Sequence, residues 1–226
     1  MMLVMLGPVA AGKGTQAAIA ARDNGLLHLS TGDLFRRALR EGSPLGEVAQ
    51  GYMRRGELVP DEITVRMVGE ALSGSAAAGG VVFDGFPRTL EQAKALDALL
   101  AEQGKAIDRA ILIDVPEEVL VERVAGRWVC PECGTPYHAT DDPPLEAGVC
   151  NRDGTALVQR DDDKPEVFRA RLREQLPPMY DVADYYDARG LLSRVDGRRQ
   201  INAVTAAISE AVGDVGTPGD EPTGTG

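Results

Sequence analysis

Aromatic residues make up only 4% of this 226-residue chain. Any core must therefore be aliphatic, built from the Ala, Val, Leu and Ile that dominate a hydrophobic content of 43%. Positive charge is also short: 24 Lys and Arg face 35 Asp and Glu, a net charge of -11. With no basic or aromatic stripe, that balance argues against a general nucleic-acid binder. It leaves small phosphorylated ligands open, because a few local arginines can hold phosphate inside an acidic protein. No run approaches the roughly 18 apolar residues a membrane span needs. The apolar start Met1-Met2-Leu3-Val4-Met5-Leu6 has no basic leader and runs straight into a glycine loop, so it reads as a buried strand and not a signal peptide. The three cysteines are an odd number in a chain without an export signal. That disfavours disulfides, favours metal ligation or inert thiols, and gives a cytoplasmic expectation.

What is present alternates. Short apolar runs at 3–6, 26–29, 81–83, 110–113 and 191–195 read as strands, with helical patterns such as 13–22, 61–72, 89–101 and 116–123 between them. Strands apolar throughout and separated by helices predict a parallel sheet covered on both faces. Two segments break the alternation. Residues 30–60 read as helices, with Ser30 or Thr31 capping the first and Asp61 capping the helix that follows. Residues 127–164, rich in Pro, Gly, Cys and Asp, read as a small inserted module, with Trp128 packed at its hinge. Then 165–176 and 178–189 read as two helices, each opening with proline. The tail 213–226 is predicted disordered, being too poor in apolar surface to offset its ordering entropy.

Gly7-Pro8-Val9-Ala10-Ala11-Gly12-Lys13-Gly14-Thr15 lies between the first strand and the first helix. Backbone N–H groups at such a helix start cradle phosphate, and the helix dipole adds attraction. Lys13 would reach the β- and γ-phosphates, and Thr15 a bound magnesium. The match to the general phosphate-loop pattern is imperfect, because Gly14 separates Lys13 from Thr15.

Further motifs follow the strands: Ser30-Thr31-Gly32-Asp33 with Arg36 one turn on, Asp84-Gly85-Phe86-Pro87-Arg88-Thr89 with Gln92 beyond, then Arg123 and Arg127, Arg160-Asp161-Asp162-Asp163 and Arg171. Together with the loop, this set closely resembles the adenylate kinases over nearly the whole chain up to about residue 212. The Asp-Gly-Phe-Pro-Arg segment is its most specific part. The resemblance implies a P-loop NTPase-type α/β core with a five-stranded parallel sheet, assigned to 1–29, 60–126 and 165–212. It also implies a helical AMP-binding insertion at 30–59 and a mobile lid at 127–164. The implied reaction is ATP + AMP = 2 ADP, with Mg2+ on ATP.

By the same resemblance, Arg36 and Arg88 hold the AMP phosphate, Lys13 serves the ATP phosphates, and Arg123, Arg127, Arg160 and Arg171 converge on lid closure. Arginine suits phosphoryl transfer, where catalysis is mostly positioning and charge stabilisation. Asp84 looks like the carboxylate that orients water on the magnesium. Gln92 matches the position that recognises the AMP base, Thr31 is typical of AMP-preferring enzymes, and the backbone of Glu57, Leu58 and Val59 lines that pocket. Residues 10–15, with Thr135, Pro136, Tyr137 and the backbone of Arg199, fall to ATP. A monomer is the family expectation. Two departures stand out: Ala10 occupies a place where glycine is common, and Asp161 adds negative charge after Arg160.

Cys130-Pro131-Glu132-Cys133, sixteen residues, then Cys150-Asn151-Arg152-Asp153 resembles a zinc ribbon with the last cysteine replaced by aspartate. Some adenylate kinases carry a lid with three cysteines and an aspartate, which makes Asp153 the fourth ligand by resemblance. His138 is the rival ligand. Such a site is structural, substituting for a core that about 38 residues cannot supply. Three other functions compete: a kinase of another base preference (UMP/CMP or GTP-using), a nucleic-acid-binding regulator built on the zinc module, and a kinase relative that binds nucleotide without turnover.

Overall fold

A computed structural model describes residues 1–213, so the expected tail disorder lies outside the described residues from 214 onward. The first half runs β1 (Met2–Leu6), α1 (Lys13–Asn24), β2 (Leu27–Ser30), α2 (Thr31–Arg40), α3 (Pro44–Arg55), α4 (Asp61–Leu72), β3 (Val81–Asp84) and α5 (Leu90–Ala101). The second runs β4 (Arg109–Asp114), α6 (Glu117–Ala125), β5 (Arg127–Val129), β6 (Pro136–His138), α7 (Pro165–Asp187), β7 (Leu192–Asp196) and α8 (Ile201–Gly213). Strands β2-β3-β1-β4-β7 form one five-stranded parallel sheet. The expected α/β core with its five-stranded parallel sheet is therefore present.

The central strand explains the sequence pattern. Every residue of β1 is buried, because alternate side chains enter different cores. Met2, Val4 and Leu6 face a cluster with Phe83, Phe86, Leu96, Leu100 and Tyr186. Leu3 and Met5 face Ala17, Ala20, Ile111, Ile113, Phe168 and Val204. Small alanines on α1 let that helix lie close to the sheet, so few aromatics are needed. The strand ends carry the motifs: Gly7 follows β1, Thr31 follows β2, Gly85 follows β3 and Gly197 follows β7. Ligands of open parallel sheets bind at this carboxyl edge.

Three local expectations need correction, and one helix had no sequence assignment. Residues 165–176 and 178–189 are not two helices; α7 runs unbroken from Pro165 to Asp187 through Pro177 and Pro178. The two prolines deprive only the carbonyls of Arg173 and Glu174, and both residues are exposed to water. The buried stripe Phe168, Leu172, Met179, Val182 and Tyr186 continues across the break and holds the helix. Asp61 does not cap α4. It is the first helical residue, with Pro60 at the cap position, while Ser30 does cap α2, accepting from the Asp33 amide at 3.3 Å. Trp128 does not pack at the hinge but is 37% exposed. Helix α8, unassigned in the sequence, buries Val204, Ile208 and Val212, a four-residue spacing that could have revealed it.

Candidate active site

The loop after β1 bends through left-handed backbone at Gly12, which opens α1 with φ 93°. The Lys13 ammonium folds back on this loop, donating to the Gly7 carbonyl at 2.7 Å and the Pro8 carbonyl at 2.6 Å. Burial lowers its pKa to about 7; Asp84 opposes that, while Arg88, Arg171 and Arg127 add repulsion. An ammonium whose charged form is so disfavoured is stabilised by an anion placed beside it. Burial pushes the Asp84 carboxyl up, but a hydrogen bond with His28 and the charges of Lys13 and Arg88 outweigh it and hold the group below the usual carboxylate range. The His28 Nε2 to Asp84 Oδ2 distance is 3.3 Å.

Beside the loop lies an open cleft lined by Thr31, Arg36, Arg88, Gln92, Arg160 and Arg171, among others. Glu57, Leu58, Val59 and Gly85 also line it; Phe86 and Pro87, both buried, do not. Gly85 has φ 72°, and a Cβ there would come within 2.8 Å of the Arg88 guanidinium and 3.1 Å of the Thr31 hydroxyl. That hydroxyl donates to the Gly85 carbonyl at 2.8 Å.

The guanidinium groups are crowded. Burial lowers Arg171 to about 9, with Asp162 opposing and Arg160, Arg88 and Arg127 adding to the shift. Burial also lowers Arg88 and Arg36. Arg160 is instead raised: burial pulls it down, but the charge of Asp162 prevails. Asp162 bridges two of these cations, accepting from Arg160 at 2.8 and 2.5 Å and from Arg171 at 2.6 Å. Asp163 accepts from Arg127 Nε at 2.7 Å, and Arg36 donates to Asp33 at 2.5 Å. Arg88 donates to the Gly85 carbonyl at 2.7 Å and to Gln175 at 2.9 Å. Arg123 donates to the Gly197 carbonyl at 2.7 Å, with a longer 3.5 Å contact to the Ala11 carbonyl. Arg199 lies exposed just beyond.

In residues 127–164, β5 and β6 pair antiparallel. The ligand atoms of Cys130, Cys133, Cys150 and Asp153 all lie within 4.8 Å of one another. Backbone N–H groups of Cys133 and Arg152 point at the Cys130 and Cys150 sulfurs, both at 3.4 Å. The backbone N–H of Thr155, ahead of the Cys133 thiol, holds the Asp153 carboxyl far below its ordinary range. Three sulfurs and a carboxylate suit a tetrahedral divalent metal such as zinc. His138 is not in the group: its Nδ1 accepts from the Thr140 and Asp141 amides at 3.4 and 3.2 Å. Tyr137 turns inward, its hydroxyl 3.4 Å from the Cys150 sulfur, whereas Thr135 and Pro136 reach the surface.

The family model for adenylate kinase matches residues 5–191. The chain is 48% identical to an adenylate kinase of Oceanobacillus iheyensis over 204 residues, covering 90% of this chain and 95% of the relative. It is 46% identical to that of Exiguobacterium sibiricum over 213 residues, 94% and 99% of the two chains. For that of Brevibacillus brevis the figures are 47% over 208 residues, 92% and 97%.

The chain belongs to the adenylate kinase family.

It is accordingly a phosphotransferase, which binds nucleotides. Within the described residues no helix is long and apolar enough to cross a membrane. Of the two departures from the adenylate kinase pattern, Ala10 is strained: among the described residues it is the non-glycine residue with positive φ, at 64°. Asp161 is milder than its place in the sequence suggests, because it is exposed and pairs with Lys164 at 2.9 Å. Three contributors escaped the motif reading. His28 touches Asp84, Gln175 braces Arg88 and donates to the Gly56 carbonyl at 2.9 Å, and Asp61 engages Gln92. Their partners lie far off in sequence, so no local signal marked them.

Proposed function

We propose that the protein reversibly transfers the terminal phosphoryl group of ATP to AMP, giving two ADP. The observation that carries this is the cleft in which Arg36, Arg88, Arg160 and Arg171 gather with Thr31 and Gln92. Two polyanions brought together need such a field. In the proposed site AMP occupies the cavity lined by Thr31, Arg36, Glu57, Leu58, Val59, Gly85, Arg88 and Gln92. Arg36 and Arg88 hold its phosphate, and Gln92 reads its base. ATP phosphates lie on the loop of residues 10–15 with Lys13, and the base end lies toward Arg199, Thr135, Pro136 and Tyr137.

An AMP phosphate oxygen attacks the γ-phosphorus of ATP in line; the bond to the β,γ-bridging oxygen breaks and ADP leaves. Charge spreads over the migrating group, and Lys13, Arg88, Arg123, Arg127, Arg160 and Arg171 stabilise it through short, preorganised hydrogen bonds. Asp162 and Asp163 hold three of these guanidiniums in place until phosphate arrives. Thr15 would hold the Mg2+ that accompanies ATP and Asp84 would orient water on it; the ion neutralises phosphate charge when bound. Segment 30–59 acts as the AMP-binding insertion and 127–164 as the lid, whose closure excludes water and prevents plain hydrolysis. Cys130, Cys133, Cys150 and Asp153 would hold a structural Zn2+. We further place the enzyme in the cytoplasm as a monomer, in keeping with three cysteines gathered as ligands and not as disulfides.

Purified protein with Mg-ATP and AMP, with UMP, CMP and GMP in parallel, tests the reading through ADP formation. Rapid ADP formation with AMP alone supports it. Preference for another monophosphate overturns the acceptor, and no turnover in folded, metal-loaded protein overturns the reaction.

A further inference from the structure

Gln92 has no freedom in how its amide is turned. The residue is 1% exposed and lines the cavity. Its Nε2 donates to Asp61 Oδ1 at 2.7 Å, and its Oε1 accepts from the Arg88 backbone N–H at 2.8 Å. Asp61 Oδ2 accepts from the Thr89 hydroxyl at 2.8 Å, and that hydroxyl accepts from the Gln92 backbone N–H at 3.1 Å. The ring closes on two groups of fixed polarity: a carboxylate can only accept, and a backbone N–H can only donate. Turned by half a rotation, the amide would set oxygen against carboxylate and NH2 against N–H.

A primary amide has two N–H donors and two lone pairs. The ring uses one of each and leaves one of each for a ligand, in a fixed order. A 6-aminopurine offers an acceptor at N1 and a donor at its amino group; a 6-oxopurine offers the reverse, a donor at N1 and an acceptor at O6. The same amide turned round would fit the 6-oxo edge equally well. Glutamine alone therefore does not choose between the two purines; its orientation does.

We propose that Asp61 is the positioning residue for acceptor-base specificity: by fixing the Gln92 amide it makes the site read a 6-aminopurine and reject a 6-oxopurine. This rests on the reading of Gln92 as the base contact. A purely structural role, tying the start of α4 to the start of α5, would weaken both acceptors alike.

The probe is inosine monophosphate, which differs from AMP only at the C6 and N1 edge. Asp61→Asn is nearly isosteric. The Thr89 hydroxyl draws the asparagine oxygen toward itself, which turns the asparagine NH2 toward Gln92 and favours the reversed amide; only the Arg88 N–H then resists. The ratio of kcat/KM for AMP to that for inosine monophosphate is expected to fall at least tenfold in Asp61→Asn, the effect of one buried hydrogen-bond mismatch. Asp61→Ala gives a second reading of the same ratio should the first variant fold poorly. Gln92→Leu separates the two possible failures. If the ratio collapses in Gln92→Leu but holds in both Asp61 variants, Asp61 is structural and the proposal is overturned while the base contact stands. If Gln92→Leu keeps the wild-type ratio, the base contact itself is wrong and the proposal falls with it.

Discussion

The arginine-lined cavity and the cysteine module solve opposite problems. In the cavity, loss of surrounding water lowers the pKa values of half-buried Arg36 and Arg88 and of buried Arg171. In the module, thiols and a carboxylate gather around a core of only Cys130, Tyr137, Cys150 and Leu157. Each is an excess of one kind of group awaiting a ligand of the other sign. A nucleotide in the cavity would depart at every turnover, and the fold supplies stand-ins: Asp33, Asp162 and Asp163 on the guanidiniums, and Gln175 on Arg88. A structural metal in the module would stay, and the donors that would hold it face one another with backbone N–H groups as their chief support. A transient ligand calls for internal counter-charges; a permanent one can itself be the cross-link.

Metal removal is expected to have the largest effect, and only on one side of that contrast. Structural zinc binds small modules with about 10 kcal/mol or more. A chelator, or Cys150→Ala, should abolish hydrogen-exchange protection across 127–164 while the parallel sheet keeps its own. Unchanged protection in the module would mean that it folds without metal, and the contrast would fail. Next, Arg88→Ala should lower kcat about 1,000-fold, roughly 4 kcal/mol of transition-state stabilisation. Its melting temperature should move little, because the Arg88 guanidinium donates hydrogen bonds only to the Gly85 carbonyl and Gln175, and the backbone bond to Gln92 survives the substitution. A collapse of the fold with the rate would make Arg88 part of the scaffold.

Lys13 sharpens the comparison through protons. Burial lowers its pKa to about 7 from an ordinary 10.5. Between those values the unfolded chain binds more proton at this group, so its contribution to stability rises with pH from about 7 to 10.5, and the penalty for charging it is fully present below about 7. Phosphates placed on the loop pull the pKa back up. Nucleotide binding at pH 8 should therefore take up close to one proton (~0.9, for a pKa raised well above 8), read by calorimetry in two buffers of different ionisation enthalpy. Lys13→Met should abolish the uptake. Equal heats in the two buffers for the native enzyme would show that the ammonium is already charged before ligand arrives.

What the sequence displayed was whatever is local. The loop of residues 7–15, the segments after β2 and β3, and the Cys-x2-Cys pair each sit within one turn or one strand end, so residue order revealed them. Gln92 was visible as a motif residue, but Asp61 sits 31 residues away, and its contact depends on α4 meeting α5. His28 and Asp84 meet only because β2 and β3 are neighbours in register, Ser30 opposite Asp84. The proline pair in α7 misled because the local breaker signal was read without the apolar stripe that continues past it. Local chemistry was legible; what tertiary packing adds to it was not.

Ala10 gives the smallest effect and the finest test of whether the nucleotide side stores strain. Left-handed backbone costs an alanine about 1–2 kcal/mol. Ala10→Gly relieves that but gives up a partly buried methyl group, packed on the α1 face of the sheet, and adds unfolded-chain entropy, together about 1 kcal/mol. The expected net is a gain of about 0.5 kcal/mol, a rise of roughly 1–2 °C in melting temperature for a chain of this size. The neighbouring Ala11 is the control. It is 3% exposed and lies outside the positive-φ set, so Ala11→Gly has nothing to relieve and should lose about 1 kcal/mol. Opposite signs at adjacent alanines would place the strain at one peptide of the phosphate loop. Equal losses at both would mean that Ala10 packs well enough to cancel its backbone cost, and that the loop stores none.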